Sequence, residues 1–167
     1  TNDDCIPQKL DRSSLVKWNA SIKERVEELY ATNVGERFIL QDGPAYLNGS
    51  YHAGHYLNKT LKDILLKQLL LDGKRVEVRL GGDCHGLPIE NRAKQDGEFN
   101  NDEDLKARCR AIAERYIKEH KDTLGLFGIY FTAPDYLTMD ADFIQREKDT
   151  FNALKEAGLI VKKNKPT

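Results

Sequence analysis

The chain is predicted to be an α/β protein built on a parallel βαβ unit with flanking helices, and three observations lead there. A short apolar segment, Phe38-Ile-Leu40, runs into a loop punctuated by Gly43-Pro44 and Asn48-Gly49. A strongly periodic stretch then continues through Leu69. After Gly73, Arg75-Val-Glu-Val-Arg-Leu80 alternates as a strand does. Strand, helix and strand in this order give a crossover that sets the two strands parallel and brings their carboxyl ends to one edge.

In chain order, Asp11 to Tyr30 is predicted as the first helix. Leu15, Trp18, Ile22, Val26 and Leu29 share one side, and Lys17, Lys23, Arg25, Glu27 and Glu28 lie largely on the other. Ser13 or Ser14 is its expected cap, and Trp18 a packing anchor. Phe38-Ile-Leu40 is read as a buried strand end, and Ser50 as the N-cap of the long helix that follows. In that helix Leu57, Leu61, Ile64, Leu65 and Leu69 form an apolar face expected to be buried. His55, Asn58, Lys59 and Lys62 form a separate polar stripe, with His52 one turn before His55. Gly73 is the expected C-terminal cap.

Beyond the second strand a helix is predicted near Gly86-Leu-Pro-Ile-Glu90, and another from Asn101 to Thr123, capped near Asn101 or Asp102. Cys109 lies on its apolar side as core filling, and His120 is read as a surface residue. A short extended segment around Gly125 to Phe131, a helix from Asp140 to Ala157 and a Leu159-Ile-Val161 strand close the chain.

Composition narrows the function classes. The 167 residues permit one domain with a sizeable core. Lys and Arg total 26 against 27 Asp and Glu, a net charge of −1, so the basic surplus of a module that binds nucleic acid through charge alone is missing. No apolar run approaches the roughly 20 residues of a membrane span. Three cysteines at irregular spacing suit reduced thiols and a cytoplasmic compartment.

The chemistry concentrates at one helix start. A helix N-terminus presents unpaired backbone N–H groups and about half a positive charge, which suits phosphate oxygens. His52 and His55 add imidazole donors there, and Gly54 between them leaves room for a flat ring or a phosphate against the main chain. Parallel sheets bind ligands beyond their carboxyl ends. That rule brings the Gly43-Pro44 loop, the His52/His55 helix start and Asp83 to one edge. On the residues alone the histidines read first as ordinary surface or capping residues, and Asp83 equally as a turn or N-cap residue. Cys84, His85 and Cys109 show no ligand spacing with the histidines, and no metal site is predicted.

The segment His52-Ala-Gly-His55 resembles the HIGH motif of the class I aminoacyl-tRNA synthetases. The preceding Asp42-Gly-Pro-Ala-Tyr-Leu-Asn-Gly-Ser50 and the following Asn58-Lys-Thr-Leu-Lys-Asp63 resemble the form found in isoleucyl-tRNA synthetases, where leucyl and valyl relatives differ. Gly82-Asp-Cys-His-Gly-Leu-Pro-Ile-Glu90 is similar to a second block of the same enzymes at the same separation. Tyr136-Leu-Thr-Met-Asp140 and Ala157-Gly-Leu-Ile-Val-Lys-Lys-Asn-Lys-Pro166 continue the likeness, so it covers nearly the whole chain.

The resemblance implies the first half of a Rossmann-like catalytic fold over residues 36–167, preceded by a helical extension over residues 1–35. The chain would end near the start of an inserted editing domain. The implied reaction is activation of isoleucine by ATP, with Mg2+ accompanying the nucleotide, followed by transfer to tRNA(Ile). The implied partners are therefore isoleucine, tRNA(Ile) and the remainder of the chain's own polypeptide, with no membrane. His52 and His55 would be catalytic and would bind ATP together with Gly54 and Asn58; Gly43, Pro44 and Asp83 would hold the amino acid. Departures are Ala45 for the family's second proline, Ala53 inside HIGH, and Gly82 where the family carries tryptophan. They leave two further readings: a degenerate, non-catalytic synthetase-like binding module, and another HIGH-bearing nucleotidyltransferase.

Overall fold

The computed structural model describes residues 11–131, 133 and 135–164. The expected inward side chain of Leu15, the cysteine at Cys5 and the expected boundary near Lys165-Pro166-Thr167 lie outside the described residues. Ten elements follow one another: α1 (Arg12–Thr32), β1 (Arg37–Leu40), β2 (Ala45–Tyr46), α2 (Ala53–Leu71), β3 (Arg75–Val78), β4 (Gly81–Asp83), α3 (Leu87–Gln95), α4 (Asp102–Leu126), β5 (Tyr136–Leu137) and α5 (Ala141–Glu156).

The expected parallel crossover is present. β1 pairs with β3, Phe38 opposite Val76 and Leu40 opposite Val78, and β2 pairs with β4, Ala45 opposite Gly82 and Tyr46 opposite Asp83. Between Leu40↔Val78 and Ala45↔Gly82 the first path spends one residue more than the second, which accommodates the Gln41–Pro44 bend. β5 joins β4 in parallel, giving the order β2-β4-β5, so α3 and α4 make a second crossover. Neither two-residue strand, β2 nor β5, has the period-2 run that would mark it in sequence.

Three small clusters form the core. Ile22, Val26 and Leu29 of α1 meet Leu66 and Leu70 of α2 and Val76 and Val78 of β3, so the N-terminal helix shares its core with the βαβ unit. Leu47, Cys84, Ile89, Ala93, Ile112 and Tyr116 pack α3 and α4 under the carboxyl edge of β4, with Cys109 beside them. Ala45, Tyr51, Leu80, Leu124 and Ile129 join the loop ahead of α2 to the end of α4.

Several expectations need correction. α1 is capped by Asp11, whose carboxylate accepts the Ser14 N–H at 2.8 Å, rather than by Ser13 or Ser14. β1 is not buried: Ile39 is exposed, because this ribbon has only two strands. The Leu57, Leu61, Ile64 and Leu65 side of α2 faces outward, and the buried side is Lys59, Asp63, Leu66 and Leu70. Lys59 therefore leaves the expected exposed stripe. His120 is 1% exposed rather than on the surface. Leu159 and Val161 are exposed in irregular chain and form no strand, having no neighbouring strand to pair with.

Other signals led to the elements expected. Gly73, at φ 76°, ends α2 with its N–H donated to Leu70 O and the Lys74 N–H to Leu69 O, both 3.0 Å. Asn101 caps α4 through the Asp104 N–H at 2.9 Å, and that helix runs on to Leu126, past the expected Thr123. Gly86, not Asp83, is the N-cap of α3.

Candidate functional site

The mouth of α2 is organised by its own two histidines. His52, not Ser50, is the N-cap: its Nδ1 accepts the Gly54 N–H at 3.1 Å, while the His52 N–H is donated to Nδ1 of His55 at 3.3 Å. The arrangement is a capping box with imidazoles in place of the usual hydroxyl and carboxylate. The rings stack with centroids 3.8 Å apart and planes inclined by 29°.

This cap fixes the tautomers. Each Nδ1 accepts a backbone N–H, so in the neutral ring the proton sits on Nε2 and each Nε2–H remains as a donor. Burial, and secondly the neighbouring His52, holds His55 below the ordinary imidazole range, which keeps that ring neutral near pH 7. The expectation of an open set of backbone donors is modified accordingly. The Gly54 N–H is used inside the cap, and donor capacity passes outward to the imidazoles. A Cβ at Gly54 would stand 3.1 Å from Cε1 and 3.2 Å from Nδ1 of His52, so a side chain there would press on the capping ring.

Asn58 is exposed one turn along α2. Behind the histidines lies a charge cluster that the sequence motif did not single out. The Asp42 carboxylate is fully buried and is bonded by the ammonium groups of Lys59 and of Lys62, the latter at 2.6 Å. Burial pushes the Lys59 ammonium down, against the upward pull of Asp42. The Asp42 carbonyl also accepts the Tyr136 hydroxyl at 2.7 Å. Asp42 thereby ties the bend bearing Gly43 and Pro44 to both α2 and β5. Two positive charges against one leave a net charge of about +1 one turn below the histidines, which favours an anion at the helix mouth. The signal was legible in principle, because Lys59 and Lys62 share a face with His55, but nothing in the periodicity indicated that this face turns inward.

Gly43 and Pro44 are exposed and line a hollow of about 490 Å³ with Leu40, Glu77, Tyr136 and Phe143. His52, His55 and Asp83 do not line it. Asp83 ends β4 directly beside Tyr46, with the Leu47 N–H donated to its carbonyl at 3.1 Å, so Asp83 and the chain leading to His52 leave the sheet at the same edge. Among the described residues its half-buried carboxylate accepts the His85 N–H alone, at 3.2 Å. Among the described residues no group of three or more His, Cys, Asp or Glu side chains is placed to hold a metal ion, and Cys84 and Cys109 are free thiols.

A side chain at Gly82 would have to displace two leucines. A Cβ would meet Leu47 Cδ1 at 2.6 Å and Leu137 Cδ2 at 2.8 Å, so two leucines fill the space beside it.

Comparison with known proteins agrees with this architecture. A class I tRNA synthetase (I, L, M and V) family model matches residues 15–167. The mitochondrial isoleucine–tRNA ligase of Saccharomyces cerevisiae is 36% identical over 94% of the chain, and the isoleucine–tRNA ligase of Gloeothece citriformis 40% identical over 84%. The chain spans only 17% and 15% of those two proteins' lengths. A crystal structure of the ternary complex of Agrobacterium radiobacter K84 agnB2 LeuRS-tRNA-LeuAMS superposes over 92% of the chain and 19% of its own, with TM-score 0.72 and 21% identity, a likeness of fold. With a capped histidine pair at the start of the crossover helix, a parallel sheet ending beside it and a family match over nearly its whole length, this chain belongs to the class I tRNA synthetases of the isoleucine, leucine, methionine and valine group.

Proposed function

We propose that the chain is the first half of the catalytic fold of an isoleucine–tRNA ligase, with residues 1–35 as a helical extension and residues 36–167 as the nucleotide-binding part. The observation that carries the reading is the pair of Nε2–H donors fixed at the α2 mouth by reciprocal capping. In the proposed reaction a carboxylate oxygen of isoleucine attacks the α-phosphorus of ATP, the bond to the β,γ-pyrophosphate breaks, and isoleucyl-adenylate forms. Negative charge builds on phosphate oxygens as this happens. Donors already oriented toward it stabilise the transition state more than the ground state. His52 and His55 take that role, Gly54 lies against the adenine, and Asn58 supports the nucleotide.

Gly43, Pro44 and Asp83 are assigned to the amino acid, Asp83 to its ammonium group. Mg2+ is assigned to the phosphates of ATP. Transfer to tRNA(Ile) and selection among aliphatic amino acids are assigned to the remainder of the polypeptide, as is the completed pocket. A cytoplasmic site of action is part of the proposal. The yeast relative is mitochondrial, so imaging of the tagged protein decides that point.

The sealed space at Gly82 favours one second reading, a synthetase-like module that binds without catalysing. The deciding experiment is isoleucine-dependent exchange of labelled pyrophosphate into ATP by the full-length polypeptide, with valine and leucine as controls. Exchange that disappears in His52→Ala and His55→Ala is the expected result. No exchange in the wild type selects the binding module, and exchange that survives both substitutions overturns the roles assigned to the histidines.

A further inference from the structure

The loop that leads into the histidine pair is held from behind by α4. Three successive residues, Gly49, Ser50 and Tyr51, each meet that helix. The Gly49 carbonyl lies 2.8 Å from Nε2 of His120, the Ser50 hydroxyl is bonded to the Glu119 carboxylate, and the Tyr51 ring stacks on the His120 ring with centroids 3.7 Å apart and planes inclined by 18°. The series of rings continues: Tyr51 meets His55 in a tilted contact at 4.9 Å and 36°, and His55 stacks on His52 at 3.8 Å. Four aromatic rings thus run in series from the interior of α4 to the mouth of α2.

A carbonyl only accepts, so His120 Nε2 carries the proton and donates it to Gly49. His120 Nδ1 and the Tyr51 hydroxyl are buried without partners, so neither group draws the rings toward another arrangement. Burial, the leading influence, keeps His120 below the ordinary imidazole range, in agreement with a neutral ring. A buried histidine that merely fills space needs neither the loop carbonyl nor the face of the ring that backs the site.

We propose that His120 is a positioning residue for the histidine pair, acting through Gly49 and Tyr51 to hold the loop and the His55 ring where the cap with His52 can form and leave Nε2–H as the donor. The proposal deepens the nucleotide-binding reading and rests on it for purpose, but the geometry can be tested without nucleotide.

The test uses the 167-residue chain labelled with 15N. Long-range 1H–15N spectra of the imidazoles at pH 7.5 are recorded for wild type, His120→Leu and His120→Gln, and each protein is then titrated with Mg-ATP. In the wild type, His55 and His120 should each show a single Nε2–H tautomer. His120→Leu should return His55 to the mixed tautomers of a free imidazole and weaken Mg-ATP binding about tenfold. His120→Gln, whose amide still donates to Gly49, should restore the single tautomer at His55. A folded His120→Leu protein with unchanged His55 signals overturns the proposal. If His120→Leu does not fold, the wild type decides. Ring-to-ring Overhauser effects from Tyr51 to both His120 and His55 support the proposal, and their absence, or an Nδ1–H tautomer at His120, overturns it. Wild type that ignores Mg-ATP yet shows the tautomer changes would leave this inference standing, and the nucleotide reading is then decided by pyrophosphate exchange in the full-length polypeptide.

Discussion

The two sides of α2 invert the usual rule. Its inward side holds Lys59, Asp63, Leu66 and Leu70 and brings Lys59 and Lys62 against a fully buried Asp42, while Leu57, Leu61, Ile64 and Leu65 stand in solvent. Hydrophobic periodicity shows that a helix is amphipathic, but it does not say which surface meets the apolar side or whether that surface belongs to the same folding unit. On the inward side the charges are matched in place and hold a loop. On the outward side the apolar area is uncovered among the described residues.

The contrast breaks most readily at Asp42. Asp42→Ala removes the shared counter-ion and leaves the ammonium of Lys59 buried without one, for which the expected loss is about 3–5 kcal/mol in urea unfolding. Lys59→Met should cost less, since Lys62 still meets the carboxylate and a similar volume is retained. An Asp42→Ala protein as stable as wild type would show that the cluster lies open to water, contrary to its burial.

Matched truncations sharpen the comparison next. Leu66, 2% exposed, should lose about 2–5 kcal/mol on conversion to alanine. Leu61, 59% exposed, should change by less than about 0.5 kcal/mol under the same substitution. Equal costs at the two positions would mean that the helix is turned as the sequence pattern first suggested.

That pattern carried much of the fold and less of the site. The crossover, the caps at Gly73 and Asn101, the helix after Gly86 and the α5 start at Asp140 were legible because each rests on local backbone chemistry. Burial was not. His120 looks like surface because it lies among charged residues on α4, and only the long-range approach of Gly49 and Tyr51 encloses it. Leu159-Ile-Val161 has strand composition but no neighbouring strand with which to pair. At the site, the spacing placed His52 and His55 on one turn, whereas their mutual cap and the ion cluster beneath it depend on how the Gln41–Pro44 bend returns to the helix.

Acidity probes the loop ahead of α2 through His120, which α4 sets against Gly49 and Tyr51. Burial lowers its pKa, so as the pH falls through about 6.5 the unfolded chain takes up a proton that the native protein refuses. Stability is therefore full above that pH and declines below it, by at most about 1.4 kcal/mol per pH unit from this group. His55 is lowered in the same direction, whereas Asp63, raised by burial, acts in the opposite sense, its penalty being relieved as the pH falls. Urea midpoints between pH 7.5 and 5.5 should fall in wild type and fall less in His120→Gln. Identical slopes would place His120 in contact with solvent.

The smallest effect on stability, and the clearest on behaviour, belongs to the outward side. Leu57, Leu61, Ile64 and Leu65 form a contiguous apolar strip, and the neighbouring β1–β3 ribbon has only two strands, with Ile39 exposed. The isolated chain should therefore self-associate as its concentration rises. Leu61→Glu with Leu65→Lys interrupts the strip and creates an oppositely charged pair one turn apart, itself contributing about 0.2–0.5 kcal/mol to the helix. Sedimentation velocity should show the wild type shifting toward larger species with concentration and the double variant remaining monomeric, while their unfolding midpoints nearly coincide. A wild type monomeric at every concentration would mean that the strip is too small or too curved to bury itself against a second copy. A double variant that lost stability would mean that these leucines already contribute to the fold.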